Sequence, residues 1–177
     1  MTDYSVQDIS HVSQDSANPT PGQQVITACA FIHQEFDGVQ KVFMAKRADT
    51  KKFLPGVYEI PGGHIDFGET TENGLVREIQ EEFGVDVRLG DPFAVFTYAN
   101  EIKGSHSIEV IYFAQLVDPN VSIQPSPEDH STCGWFSEKE LPQTFVSEKD
   151  AEDDEVKALY RGFELLKGAK LNFGDRT

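Results

Sequence analysis

Apolar positions along this chain change period from segment to segment, and those changes mark its elements. Val25 to His33 and Lys41 to Arg47 are β-rich runs around Phe36-Asp37-Gly38, a turn signal, so they predict a hairpin. Gly56 to Ile60 reads as a short strand ending at Pro61-Gly62-Gly63. From Thr71 to Phe83 the pattern becomes helical: Leu75, Ile79 and Phe83 recur four apart on one stripe. Thr70 or Thr71 can cap that helix, and Gly84 can stop it in a left-handed conformation. Asn73-Gly74 is turn-like and costs about 1 kcal/mol against alanine at the glycine.

Strands are predicted at Asp86–Leu89, Phe93–Ala99, Ser107–Leu116 and Thr132–Phe136. Pro119 to Asp129 reads as a loop and Glu138 to Leu141 as a short helical turn. Val156, Leu159, Tyr160, Phe163 and Leu166 form one face of a helix from Asp153 to Lys167, with an acidic first turn and Gly168 as its C-cap. Residues 1–22 lack sustained periodicity and predict a flexible tail, leaving 23–177 as a single domain. Strands and helices mix, so the fold class is α+β, a mixed sheet flanked by helices.

Composition narrows the choice of function. At 177 residues with 38% hydrophobic and 25% charged residues, the chain is globular and long enough for one core. The longest apolar run, Val25 to Ile32, is far short of a membrane span, and Met1 to Ser10 carries no base, unlike a signal peptide. Cys29 and Cys133 make no disulfide framework, so the expected compartment is the cytoplasm. A net charge of −15 argues against binding to a nucleic-acid duplex. That charge is uneven: residues 63–85 hold six acids and one base, whereas Lys41, Lys46, Arg47, Lys51 and Lys52 cluster just upstream. An acidic group beside a basic stretch suits a metal-bound phosphate substrate. The 142–155 segment is acidic and long enough for a lid or a solvated insertion.

On the predicted helix Glu78, Glu81 and Glu82 crowd one stripe next to the apolar one. Clustered carboxylates repel by a few tenths of a kcal/mol per pair, and a divalent cation removes that penalty. Arg77 can reach back to Glu69 in a bidentate pair that fixes the preceding loop, and Gly62-Gly63 permit a sharp turn with close backbone approach.

Gly63-x5-Glu69-x7-Arg77-Glu78-Ile79-x-Glu81-Glu82-x-Gly84-Val85 fills all nine specified positions of the pattern it resembles, the Nudix box. Chance produces such a match on the order of once per billion starting positions. Weaker likeness extends over about residues 25–142, through Lys46-Arg47, Leu54-Pro55-Gly56 and Trp135-Phe136-Ser137. The resemblance implies an α/β/α sandwich and Mg²⁺- or Mn²⁺-dependent hydrolysis of a nucleoside diphosphate linked to another group. It implies Glu78 and Glu82 as main metal ligands, with Glu81 and a carbonyl of Gly62-Gly63 assisting. Glu69 becomes a supporting carboxylate and Arg77 its orienter, while Glu78, Glu81 and Glu128 all stand as candidate bases for water attack on phosphorus. Lys46 and Arg47 are candidates either for substrate phosphate or for an exposed strand end. The compact domain favours a MutT-like reaction, (d)NTP to monophosphate and pyrophosphate. ADP-ribose, a nucleotide sugar or a dinucleoside polyphosphate is the alternative, then a non-catalytic nucleotide-binding module. The expected partner is a small nucleotide, and a homodimer is open.

His64 reads as structural, and His130 with Cys133 lacks zinc-site spacing. Trp135 and the phenylalanines read as core rather than base-stacking surfaces.

Overall fold

A computed structural model describes residues 22–141 and 153–168; most of the predicted tail and acidic segment lies outside them. The strands are β1 (Gln24–Phe36), β2 (Val39–Arg47), β3 (Tyr58–Glu59), β4 (Gly62–His64), β5 (Val87–Asn100), β6 (Ser105–Leu116) and β7 (His130–Ser137). The helices are α1 (Thr71–Phe83) and α2 (Asp154–Leu166).

Asp37 (φ 49°) and Gly38 (φ 78°) carry the two successive positive φ values that a tight hairpin turn requires, and they join β1 to β2. That pairing covers only the far end of β1, His33 to Phe36 against Val39 to Val42. Nearer its start β1 turns instead to β4, pairing Thr27, Ala28 and Cys29 with His64, Gly63 and Gly62. On its other side β1 runs parallel to β6, which pairs antiparallel with β5; β2 carries β3 and β7. The sheet therefore splays open between β1 and β2, and a cleft forms in the opening.

Side-chain alternation along β1 sends Ala28, Ala30 and Ile32 to the α1 side, where Leu75, Ile79 and Phe83 bury their stripe. Phe31 points the other way, into a cluster with Val42, Met44, Ile111 and the Val156, Leu159 and Phe163 face of α2. The result is a mixed sheet between two helices, as the sequence predicts.

Thr70 caps α1 through a hydrogen bond accepted from the Asn73 amide (3.2 Å), and Gly84 ends it at φ 65°. Gly74 is tolerated because of what lies against it. A Cβ there would sit 2.7 Å from Ile65 and 2.9 Å from a Glu69 oxygen, so the glycine admits the loop before the helix.

Two predicted boundaries move. Gly62-Gly63, read as the end of a strand, form β4 instead, because a bare backbone can lie against β1; a Cβ on Gly62 would fall 2.3 Å from the Ala28 carbonyl oxygen. The two strands predicted at 86–89 and 93–99 are one, β5, whose register shifts around Pro92. Proline has no N–H for the ladder, so the strand bulges there and continues.

In α2, Gly162 faces Phe31, which is wedged against Phe93, Phe113 and Phe163. A Cβ on Gly162 would lie 2.7 Å from the Phe31 ring. Gly162→Val is expected to cost about 1–3 kcal/mol by overpacking, read as a fall of several degrees in Tm. An unchanged melting temperature would show that this helix is not seated on Phe31.

Candidate active site

The cleft is a cavity of about 760 Å³ with Glu78, Glu81 and Glu82 on one wall and Gly62, Gly63 and His64 beside them. Its construction starts from Arg77. The guanidinium donates from Nε and Nη2 to the two Glu69 oxygens (3.0 and 2.9 Å) and from Nη2 to the His64 carbonyl (3.1 Å). Nη1 reaches Glu78 (3.0 Å) and, more loosely, Glu81 (3.3 Å). One side chain thus ties α1, β4 and the intervening loop together. Its charge is reinforced chiefly by the Glu69 hydrogen bonds, and Glu69 in turn is held below the usual carboxylate range by Arg77.

The other carboxylates are less at ease. Burial pushes the Glu78 carboxyl upward, with Glu81 and Asp66 adding to the push and Arg77 opposing it. Burial drives Glu82 up to about 9, helped by Glu59, Asp129 and Glu78 and opposed by Lys51. Among the described residues no three acidic, histidine or cysteine side chains are already gathered as a cation cage. The donors still suit a hard divalent ion: buried carboxylate oxygens lacking full cationic compensation, beside a bare backbone. Gly63 makes the room, since a Cβ on it would lie 2.4 Å from the Glu78 carboxyl carbon.

The sequence-derived candidates separate here. Glu69, Arg77, Glu78, Glu81, Glu82, Gly62 and Gly63 assemble in one place. Arg47 also lines the cleft, but both Glu59 oxygens (2.8 Å each) and the Phe53 carbonyl (3.0 Å) engage its guanidinium. It serves as a strut. Lys46, one residue earlier on β2, points to the opposite face, its nitrogen 5.9 Å from the Tyr58 ring centroid, and does not line the cleft. Glu128 is exposed outside the cavity while its neighbour Asp129 lines it. The cause is a hydrogen bond from the Ser126 amide to the Glu82 carbonyl (2.7 Å), which fixes the rotation of the loop entering β7.

Several further residues line the cleft. Lys51 pairs with Asp129, and burial's upward pull on that carboxyl is outweighed by Lys51 and Ser126. His130 stacks on Phe83 and its Nε2 lies 3.1 Å from Glu59. Burial alone would raise Glu59, but His130 and Arg47 hold it low. His64, read as structural, does line the cleft 3.4 Å from Lys103 Nζ, and burial with that ammonium lowers it to about 4.

The NUDIX domain family profile matches residues 24–160, and the chain belongs to this family. It is 25% identical over 114 residues to the ADP-ribose pyrophosphatase of Methanocaldococcus jannaschii, covering 64% of each chain. It is 25% identical over 142 residues to a MutT-like protein of Streptomyces ambofaciens, covering 80% of this chain and 79% of that one. The MutT NUDIX hydrolase structure from Burkholderia pseudomallei superposes with a TM-score of 0.61 at 26% identity, over 78% of this chain and 97% of that one. No helix among the described residues is long and apolar enough to cross a membrane.

Proposed function

We propose that the protein is a divalent-metal-dependent pyrophosphohydrolase that cleaves a (deoxy)nucleoside triphosphate to the monophosphate and pyrophosphate. One observation carries the reading: Glu78 and Glu81, both bonded to Arg77, line with Glu82 a cavity of about 760 Å³ that Lys51, Lys52 and Lys103 also line. That volume lies in the range of small-molecule sites.

Glu78 and Glu82 would hold Mg²⁺ (or Mn²⁺), with the Gly62-Gly63 backbone completing the oxygen set. Bound there, the cation neutralises charge on the phosphate oxygens and acidifies water. Arg77 keeps Glu69 and the loop of residues 64–69 in register with α1, so the ligand carboxylates keep their spacing. Lys51 and Lys52 draw the polyphosphate to the cleft. Glu81 is the base this reading prefers. It is 49% exposed, faces the cavity and has only a 3.3 Å contact to Arg77, so it can take the proton of the attacking water. Glu78 is clamped by Arg77, and Glu128 lies outside the cavity. Water adds to phosphorus, the bridging oxygen leaves with pyrophosphate, and the proton passes to solvent.

The test is Mg²⁺-dependent turnover of dNTPs, 8-oxo-dGTP, NTPs, ADP-ribose, nucleotide sugars, NADH and dinucleoside polyphosphates, with products separated chromatographically. Release of pyrophosphate from a triphosphate well above the other reactions is the expected result. A clear preference for ADP-ribose would overturn the substrate, and binding without turnover under any metal would overturn the enzyme.

A further inference from the structure

Six polar or charged residues are buried among the described ones, and Thr27, Asn100, Ser107 and Glu109 lie close together on β1, β6 and the end of β5. Burying polar groups is costly unless partners satisfy them, so a sheet face built this way is poor core and good binding surface. The strand registers set the arrangement: Glu109 lies between Thr27 on β1 and Phe96 on β5, and Ser107 lies beside Tyr98. Glu109 is 7% exposed and accepts a hydrogen bond from the Thr27 hydroxyl (3.4 Å).

Phe53 comes from the loop after β2. Its ring is nearly parallel to that of Tyr98, 11° between planes and 6.3 Å between centroids. Arg47, clamped by Glu59, holds the Phe53 carbonyl, so the loop is tied to β2. Thr27, Phe53, Tyr98 and Glu109 line the same cavity as Glu78 and Glu82.

We propose that this recess takes the base of the nucleotide, its ring stacked on the aromatic surface of Tyr98 and Phe53 and its N–H edge turned to the Glu109 carboxylate. The inference rests on the nucleotide reading above. Two near-parallel aromatic rings favour a flat heterocycle over a sugar. Carboxylate oxygens accept hydrogen bonds, and guanine offers them adjacent ring and amino N–H donors. Adenine offers one amino group beside a ring nitrogen whose lone pair would oppose the carboxylate. The recess is therefore built for guanine over adenine.

The test is calorimetric binding of GMP, AMP, UMP and ribose 5-phosphate to the full chain in EDTA, so that no metal-loaded turnover is needed. GMP is expected to bind at least about tenfold tighter than ribose 5-phosphate, since stacking on aromatic side chains has about that effect per base. Phe53→Ala should remove most of that advantage while leaving ribose 5-phosphate unchanged, and Glu109→Gln should abolish the preference for GMP over AMP. Phe53 is on a loop, so its variant keeps the test alive even if Glu109→Gln does not fold. Equal binding of GMP and ribose 5-phosphate, or full GMP affinity in Phe53→Ala, would overturn the inference. Mg²⁺-dependent turnover of the wild type separates the two levels. Turnover without base preference removes this recess alone, whereas neither turnover nor nucleotide binding removes the nucleotide reading with it.

Discussion

Glu82→Gln is expected to cut kcat by at least about a hundredfold while leaving the fold intact. A cation at such a site supplies several kcal/mol of transition-state stabilisation, and each 1.36 kcal/mol is a factor of ten. The carboxyl is mostly buried and pushed up to about 9 by that burial and by Glu59, Asp129 and Glu78, so ionising it is costly until a cation arrives. The sign of the pH effect follows. Between the ordinary glutamate value and about 9 the metal-free folded protein keeps a proton that the unfolded chain has lost. Stability in EDTA therefore falls as pH rises through that window, by no more than about 1.4 kcal/mol per unit. Glutamine removes the titrating group and with it this slope, and Mg²⁺ should raise the Tm of wild type and not of the variant. Thermal melts in EDTA and in Mg²⁺ across that window, set beside kcat, check all three points. A Glu82→Gln enzyme with near-wild-type turnover would sink the ligand assignment.

The carboxylate wall of the cleft is legible in the sequence because it is local. Arg77, Glu78, Glu81 and Glu82 share one helix, where a fixed 100° per residue converts spacing into direction, and Glu69 lies a short loop away. What fails is direction at the ends of strands and loops. Lys46 and Arg47 are adjacent, so strand alternation sends one to Tyr58 and the other to the cleft, and composition cannot say which. Glu128 and Asp129 differ by the same single step, decided by the Ser126 bond to the end of α1. The base recess is harder still. Thr27, Tyr98 and Glu109 meet only through the pairing of β1 and β5 with β6, and Phe53, like the other phenylalanines, reads as core until Tyr98 is seen beside it. Gly74 shows the reverse case, a local oddity in a helix that only the packing of Ile65 and Glu69 explains.

Arg77→Lys tests whether bracing, as distinct from charge, keeps the catalytic wall in place. Lysine preserves the positive charge but cannot reproduce two parallel bonds to Glu69 while also holding the His64 carbonyl and Glu78. Arg77 is 20% exposed, so these bonds are shielded and their loss is felt more than that of a surface ion pair. Groups that orient metal ligands typically contribute 10- to 100-fold, and a fall in kcat of about that size is expected, with a Tm lower by a few degrees. Mg²⁺ affinity should weaken as well, because Glu78 loses the partner that fixes its carboxylate. The decisive comparison is with Glu69→Gln and the double variant. If Arg77 acts by holding Glu69, the two losses overlap and the double variant is little worse than Arg77→Lys alone. Fully additive losses would mean that Arg77 works directly on the substrate phosphates, and the bracing role would have to be given up.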